Sequence, residues 1–214
     1  MRRSAAAVLA AWATLVAAGQ AVLLEHSTAA GDPGHPPAVL PRELAEALRW
    51  DPMQPLLLLA AHPQCPCLPA TLAELQRTLD GAAPPTLRVL VHTPSSPPPA
   101  WDSGADAELR RRLPAGVAID DRDGALATKL GLRTSGHVLL FAADGRLRFT
   151  GGVTAGRGHE GDNRAGRTLA AMLGDAGKPQ ASTAVFGCPL QADSSPHDGP
   201  CCDHERPRLD PTAR

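Results

Sequence analysis

Residues 55–61, "PLLLLAA", form an uninterrupted apolar run of strand length, closed by His62 and Pro63. A strand with one wet face alternates apolar and polar residues, so a run without alternation needs cover on both faces, as in the middle of a sheet between two layers of helix. The chain therefore has to supply helices on either side of this segment, and its punctuation does so. "RELAEALRW" (42–50) reads as a short amphipathic helix. "LPATLAELQRTL" (68–79) reads as another, with Leu68, Leu72, Leu75 and Leu79 recurring at helical spacing along one face. "TLRVLVH" (86–92) is a second strand, followed by a Pro/Ser loop, a helix around "ADAELRRRL", a short strand "GVAID" and a helix "DGALATKLG". "HVLLFAADGRLRFTGG" (137–152) reads as two strands joined at Asp144 and Gly145, residue types that tolerate positive φ in a hairpin turn. "DNRAGRTLAAML" (162–173) is the closing helix. The expected class is α/β: a central mixed sheet flanked by helices.

The N-terminus bears on compartment. "MRRSAAAVLAAWATLVAAGQAVLLEH" places Arg2 and Arg3 before residues 5–24, which carry no charge. At about 1.5 Å per residue such a helix spans about 30 Å, one hydrocarbon core. Positive flanks stay cytoplasmic, which puts the remainder across the membrane, in the periplasm. An uncleaved inner-membrane anchor over residues 1–24 fits the uninterrupted length; secretion after signal cleavage is the alternative. Residues 25–41 read as a Pro-rich, semi-extended linker too polar to pack, the folded domain as residues 42–190, and residues 191–214 as a disordered polar tail. The tail carries Cys201 and Cys202 with His197 and His204, without an ordered site expected. Net charge is -1 and no basic block clusters on one segment, which excludes an electrostatic groove for nucleic acid.

Two cysteines sit one residue apart in "AAHPQCPCLPAT", immediately after the apolar strand. Pro66 and Pro69 mark a helix start, because proline is tolerated only in a first turn, where its missing N–H would be unpaired anyway. Cys65 and Cys67 thus lie at or just before the free N–H groups of that start, whose partial positive charge favours a thiolate. A bridge between them is geometrically reachable but closes a tight ring, which favours exchange over stapling. Three readings follow: a thiol–disulfide redox pair, a soft-metal site in which His62 joins the two sulfurs to hold copper or zinc, or plain buried cysteines.

Further along, "GRGHEGDN" (156–163) precedes the last helix. Asp162 or Asn163 can cap that helix while the glycines make the turn, and His159 can serve as proton donor or ligand. No Gly-Lys-Ser/Thr follows, so the loop is not a phosphate cradle. In "VFGCPL", Cys188 is flanked by Val185, Phe186 and Leu190, which argue for docking on the domain. The chain from residue 175 to Cys188 can reach about 30 Å or more when extended, far enough to lay this third thiol over the first two.

Four stretches, "HPQCPC", "RTSGHVLLF", "GGVTAGRGHEGDN" and "VFGCPL", together with the βαβ, αβα, ββα order, resemble the membrane-anchored, thioredoxin-like RedB-type family over about residues 42–190. The resemblance implies a thioredoxin-like fold and an extracytoplasmic thiol-redox or redox-sensing role. It also implies partners that are protein thiols or disulfides, or a redox-regulatory membrane protein, with no cofactor. Cys65 becomes the expected nucleophile, Cys67 the resolving thiol, and Cys188 a further member of the site, which makes a thiol–disulfide oxidoreductase activity possible. Two positions depart from ordinary thioredoxins: the pair is Cys-Pro-Cys, and Thr134, Ser135 and Gly136 stand where a cis-proline loop usually faces the cysteines. Copper-delivery proteins share this fold and use two cysteines with a distant histidine, for which His159 or His137 is available. Thiol peroxidases of this fold carry Thr three residues before the nucleophile, where this chain has His62. A binding module that keeps only the fold is the third class.

Overall fold

The structure is a computed structural model that describes residues 2–80, 85–99, 101–174 and 180–191. Cys201, Cys202 and the rest of the expected tail from residue 192 onward lie outside the described residues. The expected central strand is β1 (Leu56–Ala61), and all six of its residues are buried. It pairs in parallel with β2 (Thr86–Thr93) on one side and antiparallel with β4 (Val138–Phe141) on the other. With β3 (Ala118–Arg122), β5 (Leu147–Gly151) and a short β6 (Ala181–Ser182), the sheet order is β3-β2-β1-β4-β5-β6. The Asp144 and Gly145 turn forms as expected: Gly145 has φ +80° and its N–H donates to the Ala142 carbonyl.

Alternation along each strand divides the apolar residues into two cores. One face carries Leu57, Leu59, Val89, Val138, Leu140 and Phe149, covered by α2 (Leu68–Leu79), α3 (Ser103–Arg112) and α5 (Arg164–Gly174). The other carries Leu56, Leu58, Leu139 and Phe141, covered by α4 (Ala125–Lys129) and by Leu40, Leu44 and Leu48 from the chain before β1. The expected stripe on α2 faces the first core, Leu68 and Leu75 fully buried and Leu72 and Leu79 packed at its margin. All three cysteines within the described residues belong to that first core. The antiparallel β4 beside β1, with a β–α–β unit on one side and a hairpin and helix on the other, is the thioredoxin-like fold.

The N-terminal helix α1 (Arg2–Thr28) contains one stretch, Ala5–Thr28, long and apolar enough to cross a membrane, and none of its apolar window is buried. It runs four residues past the apolar run because the Ser27 and Thr28 hydroxyls donate back to the Leu24 carbonyl. Two expectations are corrected. The segment 31–40 is extended but packed: the Gly31 N–H donates to the Val185 carbonyl, His35 to Gly131 and Leu40 to Gly145, and the Thr134 hydroxyl donates to the Asp32 carbonyl. Backbone groups satisfied by the domain, with Leu40 buried in the second core at the segment's end, hold a stretch otherwise poor in apolar side chains. In residues 42–50 only Arg42–Leu44 form a 3-10 turn; Leu44 and Leu48 are buried as the helical spacing requires, but Arg88 from β2 takes the Leu48 and Arg49 carbonyls and Arg49 turns to φ +48°.

Candidate functional site: three thiols at the start of α2

The chain leaves β1 at Ala61, and a compact turn carries it into α2. The Cys65 N–H donates to the His62 carbonyl (3.0 Å), Gln64 to His62 Nδ1 (3.2 Å) and Leu68 to the Cys65 carbonyl (3.1 Å). Cys67 is the N-cap residue of α2, with proline in the first turn as its sequence requires, and Thr71 returns both its N–H and its hydroxyl to the Cys67 carbonyl. Cys65 and Cys67 therefore stand at the positive end of a twelve-residue helix.

The third thiol arrives from the far end of the domain. After β6 the chain crosses the end of the sheet as a strap, residues 184–190. Its Cys188 carbonyl accepts from Ser135 N–H (2.8 Å), the Leu190 N–H donates to the Arg133 carbonyl (2.8 Å), and Thr134 and Pro189 form an antiparallel bridge. Gly187 fits only as glycine: a Cβ there would stand 1.9 Å from the Ser135 carbonyl oxygen. Val185 and Leu190 are buried and Phe186 half-buried. The strap thus lies on Thr134, Ser135 and Gly136, and the Ser135 hydroxyl in turn accepts from His62 N–H (3.0 Å).

Cys65, Cys67 and Cys188 are not bridged by disulfides and are 3, 8 and 2% exposed. Hydrogen bonds from Cys188, then from Cys67, hold the Cys65 thiol far below the ordinary range against the opposing effect of burial. For Cys67 the Cys188 contact works downward, but the bond to Cys65, burial and the Cys65 charge together push it up. The two neighbouring S–H groups thus favour the thiolate form on Cys65 over that on Cys67. Beside it, burial first and the neighbouring His92 second lower His62 to about 4, so its ring is neutral at pH 7. His62 stacks on His92 with ring centroids 5.3 Å apart, and Trp101 meets both rings at an angle.

The remaining candidates separate. His159 is exposed, its ring against Gly156 and its N–H on the Gly156 carbonyl. His137 is fully buried on the alternation of Leu139 and Phe141, away from the thiol core, with Nε2 on the Thr150 hydroxyl (2.8 Å). The donor set His62, Cys65, Cys67 and His159 is not brought to one metal position among the described residues: His62 Nδ1 accepts from Gln64 N–H, and His159 stands exposed against Gly156. In the glycine-rich loop, Asn163 supplies the cap, its Oδ1 accepting from Gly166 N–H (2.9 Å), while the buried Glu74 carboxylate from α2 accepts from Gly161 N–H and Asn163 Nδ2.

Arg157 is the residue that sequence reasoning passed over. Its backbone N–H donates to the Ser27 carbonyl (2.9 Å) and its Nη1 to the Gly187 carbonyl, and with Cys67 it walls a cavity of about 510 Å³ that reaches Leu23 and Leu24 of α1. Its place between Gly156 and Gly158 was the available signal, but the neighbouring His159 carried the more familiar chemistry.

No family model matches the chain, and no curated protein matches it. Among solved structures it is similar to a hypothetical protein from Sinorhizobium meliloti 1021, at 19% identity over 79% of this chain and 97% of that one, with a TM-score of 0.48. It is also similar to an uncharacterized conserved protein from Geobacillus kaustophilus, at 16% identity over 78% and 94% of the two chains, TM-score 0.46. A third is a secreted Mycobacterium tuberculosis disulfide oxidoreductase homologous to E. coli DsbE, at 14% identity over 56% and 81%, TM-score 0.37.

Proposed function

We propose that this chain is a membrane-tethered, extracytoplasmic thiol–disulfide redox protein of the RedB type. The observation that carries the reading is the meeting of three unbridged thiols at the start of α2, with Cys67 and Cys188 hydrogen-bonded to Cys65. The Cys65 thiolate attacks a sulfur of a partner disulfide, forming a mixed disulfide and releasing the first partner sulfur as a thiolate that takes up a proton. Cys67 or Cys188 then gives up its proton and attacks Cys65 Sγ, closing an internal disulfide and expelling the second partner sulfur. Two electrons pass from the protein dithiol to the partner, and the reverse sequence oxidises a partner dithiol. Arg2 and Arg3 hold the N-terminus of α1 in the cytoplasm, the anchor spans residues 5–24, and the thiols work in the periplasm.

Disulfide exchange by the full-length protein, measured on a fluorescent mixed-disulfide substrate, is expected for the wild type and lost in Cys65→Ser. Retention of full activity in that variant would overturn the assignment, and a wild type inactive in both directions would leave the fold as a binding module. A periplasm-dependent reporter fused after Leu190 should be active; activity of a cytoplasmic reporter at that site would reverse the topology.

A further inference from the structure

We infer that Arg157 is a positioning residue that latches Cys188 onto the dithiol and so selects which sulfur closes the internal disulfide. The inference rests on the thiol-redox reading above and adds to it a residue that makes no sulfur chemistry itself. Arg157 Nη1 donates to the carbonyl of Gly187, the residue before Cys188, while Ser135 N–H donates to the carbonyl of Cys188 itself. Two successive carbonyls are thereby fixed from opposite sides. Because each peptide unit is planar, fixing both leaves the Cys188 backbone little freedom and holds its side chain in contact with Cys65. Gly187 admits this close approach because it has no Cβ to meet the Ser135 carbonyl.

The guanidinium is suited to the task. Its planar fork donates to the Gly187 carbonyl, and the side chain lines the cavity beside Cys67. Its Nε is buried with no hydrogen-bond partner among the described residues. The residue itself is anchored through its N–H on the Ser27 carbonyl at the end of α1. Its electrostatic effect on Cys67 is to favour the thiolate, consistent with a guanidinium lying beside that sulfur. With the latch closed, Cys188 stands against Cys65 when the mixed disulfide forms, and it attacks Cys65 Sγ in preference to Cys67, whose bridge to Cys65 would close the tighter ring. With the latch open, the strap swings clear and Cys67 becomes the resolving thiol.

The test uses full-length protein in detergent, oxidised with diamide, which accepts two electrons and two protons from a dithiol to become the hydrazine. Mass spectrometry of non-reduced digests then reads the bridges. The wild type is expected to yield mainly the Cys65–Cys188 peptide pair. In Arg157→Gln that pair should give way to Cys65–Cys67, and iodoacetamide labelling of Cys188 in the reduced protein should rise about tenfold as the strap opens. Arg157→Lys, which keeps the charge but not the fork, should lie between the two, and it supplies both readings if Arg157→Gln does not fold. Bridge ratios and labelling rates unchanged in the folded variants would overturn the latch. A wild type whose main product is Cys65–Cys67 would also overturn it while leaving the redox reading intact, and a wild type that forms no bridge through Cys65 would overturn both.

Discussion

Residues 62–68 take most of their shape from bonds that span two or three positions, Gln64 to the His62 ring, Cys65 to the His62 carbonyl and Leu68 to Cys65, with one long-range bond from His62 N–H to the Ser135 hydroxyl. Residues 184–190 hold Cys188 by another means. Their backbone bonds run to Gly31, Arg133, Ser135, Gly152 and the side chain of Arg157, none of them near in sequence. One half of the site is thus mainly a local helix start, tied to the rest of the domain through the Ser135 hydroxyl. The other half exists only when the whole sheet and the segment ahead of it are in place. The difference teaches that thiol chemistry here is conditional on tertiary structure: Cys65 is acidic first because of Cys188 and only second because of Cys67.

The sharpest way to break this comparison is Gly187→Ala. The added methyl cannot share space with the Ser135 carbonyl, so the strap should unseat. Iodoacetamide labelling of Cys188 is expected to rise by about a hundredfold, toward that of an unprotected thiol, while α2 and its two cysteines stay in place by circular dichroism. Labelling at the wild-type rate would show that the strap is not seated by this contact.

Acid tests the ledge on which the strap lies. His137 directly follows Gly136, is fully buried, and is lowered by that burial to about 4 from the ordinary 6.5. Between those values the unfolded chain binds a proton that the folded chain refuses, so stability is complete above pH 6.5 and falls as pH drops toward 4. The loss amounts to about 3 kcal/mol from this one ring, with His62 adding in the same direction. Urea midpoints between pH 7 and pH 4 should show the fall, and it should shrink in His137→Asn. An equal fall in that variant would assign the acid sensitivity elsewhere.

Removing the two donors to Cys65 separately sharpens the comparison. Thiolate absorbance at 240 nm should show the Cys65 titration moved upward in both Cys188→Ala and Cys67→Ala, and further in the former, because the Cys188 bond is the larger cause. A larger move in Cys67→Ala would return control to the local half. The smallest effect belongs to the loop ahead of α5: Asn163→Ala should cost about 1 kcal/mol in urea unfolding through loss of the Gly166 cap, with the thiol titration unchanged.

The local half was legible in the sequence. Four consecutive leucines demanded a doubly covered strand, prolines at 66 and 69 placed the cysteines at a helix start, and Asp144 with Gly145 marked the hairpin. These signals act over a few residues and survive without knowledge of the fold. The packed segment 31–40 gave no such signal, because its contribution is backbone hydrogen bonding, to which side-chain polarity is blind. Arg157 was hidden for a related reason. What defines it is the pair of carbonyls it serves and the Cys67 sulfur across the cavity, and those are set by tertiary pairing. His92 and Trp101 likewise meet His62 only after β2 and the loop beyond it are placed.

The Thr134 and Pro189 bridge also sets a threshold for the protein's surroundings. A thiol tethered on the same chain meets its target at an effective concentration in the millimolar range even on a flexible linker, and higher when it is already seated. On the proposed redox cycle, a free small thiol must match that figure to intercept a mixed disulfide on Cys65, and a protein partner at micromolar levels gains nothing from abundance alone. Such a partner has to succeed by displacing the strap from Ser135 and Arg133, offering its own backbone donors and acceptors in exchange. On that proposal the bridge makes the site hard to short-circuit by an ambient thiol pool and open to proteins that present an extended cysteine-bearing segment.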